Sequence, residues 1–141
     1  VQGVKEDMPV FSMNGLVGKI TKATSTHSRV QLLVDPNLKL SVLEKKSRVV
    51  GFLESVDGHL LTAMIPSHAG VEVGDTLITS GLGGIFPKGI PVGTVKAVRK
   101  SDLDVMRQMD VAPFQEFSAL EEVFVMEKEP EWIIQELLDE Q

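Results

Sequence analysis

The sequence reads as an all-β chain, and three observations predict it. Short apolar or alternating runs recur from end to end, each stopped by turn-forming residues. Two of those stops are the turn pair Asn14-Gly15 and Asp57-Gly58, the latter a strong hairpin signal. Before residue 118 no segment sustains a helical period. Many short strands with frequent turns describe a barrel or a sandwich.

Taken in order, Met8–Met13 leads into Asn14-Gly15 and then Val17–Ala23. Arg29–Val34 alternates Val30, Leu32 and Val34 and stops at Asp35-Pro36-Asn37, after which Leu38, Leu40 and Val42 keep the period of two. Arg48–Ser55 and Leu60–Ile65 flank Asp57-Gly58, and Asp75–Thr79 and Val92–Val98 bracket a Gly/Pro stretch. Leu103, Val105, Met109 and Val111 form an apolar face that Arg107 interrupts, and Val123–Met126 is the last expected strand. Ser118-Ala119-Leu120-Glu121 has the form of a capping box for one helical turn. From Glu131, the spacing of Trp132, Ile133, Leu137 and Leu138 suits one short amphipathic helix, marginal unless it docks.

At 141 residues and 43% hydrophobic, the chain is long enough to bury a sizeable core. Its net charge of −6 is unevenly spread. Residues 127–141 hold six acids (Glu127, Glu129, Glu131, Glu136, Asp139, Glu140) against Lys128, so the remainder is almost neutral. Without a Lys/Arg cluster, nucleic acid is not an expected partner. With no Tyr and one Trp, the chain lacks the stacking platforms of a glycan site. Zero cysteines exclude disulfides and thiolate metal sites. His27, His59 and His68 have no ligand spacing, and Glu121-Glu122 has no calcium-loop context, so neither metal nor cofactor is expected.

The most informative segment is Thr79–Gly93, TSGLGGIFPKGIPVG, which holds five of the twelve glycines and two of the seven prolines. These are interleaved with Leu82, Ile85, Phe86, Ile90 and Val92. A loop both bent and apolar either folds onto its own barrel or presents Ile85 and Phe86 to a partner. Gly81, Gly83, Gly84, Ile85, Phe86, Pro87, Gly89, Pro91 and Gly93 are therefore the candidate partner-binding or structural residues, and both roles stay open.

A faint internal echo frames this segment. KEDMPVFSMNGLVGKI resembles EVGDTLITSG joined to IPVGTV, with GLGGIFPKG inserted in the second copy. VDPNLKLSVLE (34–44) lines up with VAPFQEFSALE (111–121). The echo suggests two related β units, the second distinguished by the glycine stretch. Two other readings compete. His27, Asp57 and Ser80 occur in the order of a chymotrypsin-like triad, although Ser80 lacks the Gly-Asp expected before it. VEVGDTLITSG (71–81) and GLGG resemble elements of PDZ peptide-binding domains, in the wrong order.

GDTLITSGLGGIFPKGIPVGTV (74–95) resembles one family closely, the bacterial rod shape-determining protein MreC. NGLVGKI (14–20), SRVQLLVDPN (28–37), VVGFLE (49–54) and SALEEVFVM (118–126) agree in order and spacing, so the resemblance covers about residues 3–126. It implies two small β-barrel subdomains with no substantial helix beyond a short C-terminal one. The units expected are 1–46, open to completion by a later strand; 47–126, containing the stretch 79–93; and the acidic tail 127–141. The resemblance further implies a non-catalytic scaffold of the cell-elongation, peptidoglycan-synthesising machinery. It would lie outside the cytoplasmic membrane, anchored in the full-length protein by a single span that this chain does not include. The partners implied are the chain itself as dimer or filament, MreD, and the elongation transpeptidase penicillin-binding protein 2.

Overall fold

The computed structural model describes residues 4–55, 61–67, 70–99 and 105–127. Asp57-Gly58, His59, His68 and the helix expected from Glu131 lie outside the described residues.

The alternating runs become strands β1 (Pro9–Phe11), β2 (Leu16–Ala23), β3 (Ser28–Leu32), β4 (Lys39–Glu44) and β5 (Val50–Ser55). They continue as β6 (Leu61–Pro66), β7 (Thr76–Thr79), β8 (Pro91–Arg99), β9 (Met106–Pro113) and β10 (Phe124–Val125). Two sheets result: a four-stranded one in the order β10-β1-β2-β3, and a closed barrel β4-β5-β6-β9-β8-β7. Neighbours are antiparallel throughout. The all-β expectation holds, and no helix among the described residues is long and apolar enough to cross a membrane.

Side-chain parity sorts the barrel wall. Along β5, Gly51, Leu53 and Ser55 are buried while Val50, Phe52 and Glu54 are exposed. Leu40, Val42, Leu53, Leu77, Val92 and Met109 meet in one core. A smaller cluster of Met8, Val10, Val17 and Ile20 underlies the four-stranded sheet and is closed by Phe117 and Leu120.

Three expectations are corrected. β4 was expected in the first unit, yet it pairs with β5 and β7 in the barrel, so sheet membership changes after β3. The reason is the breaker at 35–37, which ends one sheet and lets Leu38, Leu40 and Val42 turn into the barrel core. A later strand, β10, joins the first sheet beside β1. Val105 was expected on the apolar face of β9 but is 83% exposed, because the strand begins only at Met106. Ser118 does not cap a helix. It lies inside a 3-10 turn, Phe117–Ala119, and its hydroxyl donates to Glu116 Oε1 at 2.8 Å.

The echo has a structural counterpart. The first pair of similar segments forms the hairpins β1–β2 and β7–β8, and each hairpin carries a register irregularity. In the second pair, 34–38 leads from the four-stranded sheet into the barrel, and 113–123 leads back. Gly18 and Gly93 occupy related places in their hairpins, where a Cβ would collide with the carbonyls of Gln31 and Ala112.

The two units share a joint. Leu16 and Leu33, 0% and 1% exposed, lie in the barrel's core cluster although Leu16 opens β2 and Leu33 follows β3 in the other sheet. A Cβ on Gly15 would stand 2.7 Å from the Pro91 carbonyl oxygen. The buried Ser12 hydroxyl bonds Gln115 Oε1, and Gln115 Nε2 donates to the Glu116 carbonyl at 2.8 Å. Within the four-stranded sheet, the Phe11 and Phe124 rings of the paired strands β1 and β10 pack with centroids 5.5 Å apart.

Gly93→Ala should lower stability by about 1–3 kcal/mol through overpacking against β9. Lys96→Ala, on an exposed position of the same strand, should stay within about 0.5 kcal/mol. Urea unfolding of both variants, followed by circular dichroism, checks the contrast.

Candidate functional site

Between β7 and β8 the Gly/Pro stretch returns to its own barrel, and Thr79 is what folds it back. Thr79 is fully buried. Its N–H donates to the Ile90 carbonyl (2.9 Å), and its carbonyl accepts from the Gly89 N–H (3.0 Å). Its hydroxyl donates to the Pro87 carbonyl (2.6 Å) and accepts from the Ile90 N–H (2.9 Å). One buried threonine thus satisfies four polar groups that would otherwise lack partners in a loop. Gly81, Gly83, Gly84 and Gly89 have φ of 85, 91, 75 and 104°, values that L side chains rarely adopt.

The route places Phe86 at 6% exposure and Ile90 at 9%, both within the barrel core, with Ile85 packed half-buried against it. The question left open by the sequence is answered for Phe86: it is core and is not displayed. An apolar loop next to a barrel core is most stable when its largest ring leaves water. Pro87, Gly89 and Pro91 are exposed, Gly83 and Gly84 are exposed, Gly81 is half-buried, and Gly93 is buried beneath β9. Leu82, at 61%, is the large apolar side chain the loop leaves in solvent.

The start of the loop is fixed to the outer barrel wall. Ser80 N–H donates to the Ser41 carbonyl (3.2 Å), the Ser80 hydroxyl donates to the Ser41 hydroxyl (2.8 Å), and the Leu82 N–H donates to the Ser80 hydroxyl (3.1 Å). Ser41 stands opposite Phe52, and Phe52 stands opposite Met64, so these three share the outer face. Phe52 is 63% exposed. The candidate site is therefore an outer wall bearing Phe52, edged by the tethered segment that carries Leu82.

Reasoning from sequence did not single out Phe52. Its signal was parity: it shares a face of β5 with Glu54, opposite to Leu53. Such a surface can bind by apolar burial with little ordering cost, because the wall and the loop tether are already fixed.

The protease-like triad is not assembled among the described residues. Ser80 follows β7 in the barrel and bonds Ser41, while His27 lies between β2 and β3 in the other sheet and its Nδ1 meets the Thr26 hydroxyl at 2.9 Å. Asp57 lies outside the described residues. The PDZ-like reading fares no better, since Gly81–Gly84 is tied to its own barrel through Ser80 rather than opening over a helix-flanked groove. No cluster of three or more metal-ligating side chains occurs among the described residues.

Comparison with known proteins agrees on one family. The family model "Rod shape-determining protein MreC, barrel core" matches residues 1–127. The cell shape-determining protein MreC of Escherichia coli is 38% identical over 113 residues, covering 79% of this chain and 30% of that protein. The Listeria monocytogenes protein is 30% identical over 135 residues, covering 92% of this chain and 46% of its own length. This chain thus spans less than half of each. Among solved structures, MreC from Pseudomonas aeruginosa superposes with a TM-score of 0.80 at 26% identity, covering 88% of this chain and 81% of that one.

Phe86→Ala should cost about 3–5 kcal/mol, the usual penalty for emptying a buried aromatic site. Leu82→Ala should change stability by less than about 0.5 kcal/mol. Thermal denaturation of the two variants separates a core loop from a displayed one.

Proposed function

The chain belongs to the MreC family, and from that premise we propose that it is a protein-binding portion of a scaffold for bacterial cell-wall elongation, working without catalysis. The single observation that carries the binding reading is Phe52, a phenylalanine 63% exposed in the middle of a barrel wall. Exposed aromatics of this kind are typical anchors of protein interfaces. Leu82, at the tethered edge of the same wall, widens the apolar contact.

The first partner proposed is penicillin-binding protein 2. MreC of Helicobacter pylori has been solved as a complex with PBP2, and it shares the fold at a TM-score of 0.72 and 23% identity. Self-association is the second interaction proposed. Support comes from a related structure described as the major periplasmic domain of the cell shape-determining filament MreC, 27% identical with a TM-score of 0.66. MreD is added on the family resemblance alone. In this reading the barrel and its companion sheet lie on the outer side of the cytoplasmic membrane, held there by a single span of the full-length protein. Ser80 serves to tether the loop and is not a nucleophile, in keeping with its bond to Ser41.

Phe52→Asp and Leu82→Asp should each weaken binding to the cognate PBP2 at least about tenfold, or 1.4 kcal/mol, with unchanged melting temperature. Calorimetric titration measures the first and differential scanning calorimetry the second. Wild-type affinity in both variants would sink the proposed surface, and labelling of Ser80 by a serine-directed probe would sink the non-catalytic reading.

A further inference from the structure

Among the described residues, the four-stranded sheet has two free edges, β10 on one side and β3 on the other. Their backbone groups are in phase. Val125, Val10, Gly18 and Leu32 lie at one level across the sheet. Met126 N–H donates to the Pro9 carbonyl, so the alternation of the ladder turns N–H and C=O of Val125 and Glu127 away from β1. Leu33 N–H donates to the Val17 carbonyl, so the same groups of Leu32 and Val30 turn away from β2. The Leu32 carbonyl accepts the Asp35 N–H at 2.9 Å and keeps a second lone pair.

Strand direction matches as well. With every neighbour antiparallel, β10 and β3 run in opposite senses. A second copy laid beside the first in the same orientation therefore meets β3 with an antiparallel β10. Pairing at the same level sets Leu32 against Val125 of the second copy and Val30 against its Glu127. Both pairs can then exchange backbone hydrogen bonds. Side-chain faces also agree, since Val30, Leu32 and Val125 all pack on the cluster of Val10 and Ile20.

Charge favours this pairing over β3 against β3. Lys22 stands directly opposite Arg29, both are exposed, and neither makes an ion pair among the described residues. Two β3 edges would bring two such repelling pairs together. Glu127 is exposed and also without an ion pair there, and level pairing sets it one residue along from Arg29.

We propose that the chain self-associates head to tail through this sheet, the β10 edge of one copy pairing with the β3 edge of the next. It rests on the self-association proposed above and gives it a surface distinct from the Phe52 wall. Each copy adds four strand spacings, about 19 Å, along the sheet. Twist of about 20–25° per strand rotates successive copies by roughly 80–100°, which swings apart the barrels at the ends of the strands. Rotation coupled to translation does not close, so the heterologous contact builds an open filament.

The chain has no cysteine, so Val30→Cys and Glu127→Cys can be made singly and mixed. A hydrogen-bonded cross-strand pair has Cα atoms about 5.5 Å apart, within disulfide reach. Oxidation should give the mixed 30–127 dimer at least about tenfold over either homodimer, because each homodimer joins like charges. The double-cysteine chain should give a ladder of covalent multimers, since its own two positions lie about 14 Å apart on opposite edges. Val30→Pro removes a donor that faces outward, so multimers should vanish in sedimentation while the β circular dichroism spectrum is kept. Arg29→Glu should weaken association about three- to tenfold, and adding Glu127→Lys should restore it. Products dominated by 30–30 or 127–127 dimers overturn the proposal. Association that persists in Val30→Pro without a 30–127 product also overturns it, and leaves self-association to another surface. A wild-type chain still monomeric at about 1 mM overturns both.

Discussion

Pairing of β4 with β7 is the interaction on which the rest of the molecule depends. Val42↔Thr79, Leu43↔Ile78 and Glu44↔Leu77 close a curved sheet into a barrel, and closure removes the free edges that an open sheet would expose. It also fixes Thr79 between two neighbours, and Thr79 holds both ends of the Gly/Pro loop. Without that strand, Phe86 would have no core to enter and Ser80 no wall to be tied to. The closing strand also carries an evident cost. Glu44 is 1% exposed, with one carboxylate oxygen accepting the Ser47 N–H and the other without a partner among the described residues. A buried carboxylate is expensive, and here it shapes the turn from β4 to β5.

The second constraint is the joint. Leu16 and Leu33 reach into the barrel core, Gly15 lies against Pro91, and Ser12 is bonded to Gln115. Ser12 and Gly15 belong to the β1–β2 turn, Leu16 opens β2 and Leu33 follows β3, so this end of the four-stranded sheet is what meets the barrel. The first crossover, 34–38, and most of the second, 113–123, lie in the segments 34–44 and 111–121 that echo each other in sequence. Each half has a hairpin, β1–β2 or β7–β8, ahead of its crossover, and the glycine loop lies within the second hairpin. The Phe52 wall is therefore carried on a barrel packed against its companion sheet.

Much of this was legible beforehand, for definable reasons. Turn pairs and period-two alternation are local, so β1, β2, β5 and β8 could be placed from residues alone. The importance of 79–93 was readable because so much glycine and proline among apolar residues has few explanations. Parity in β5 would have exposed Phe52, had it been followed through the strand. Phe86 was less accessible: a ring in a bent loop has the same local sequence whether it turns inward or outward. The order His27, Asp57, Ser80 could not establish a triad, because order along a chain says nothing about which sheet a residue joins.

By itself, the sequence determined the all-β character, the positions of the turns, the acidic end and, through collinear motifs, the family. These follow from short-range rules of backbone and side-chain chemistry. Tertiary structure alone decided that β4 completes the barrel, that Phe86 is core and that Phe52 is displayed. Each of those is a matter of which strand pairs with which, and an alternating strand has the same period whatever partner its backbone hydrogen bonds select.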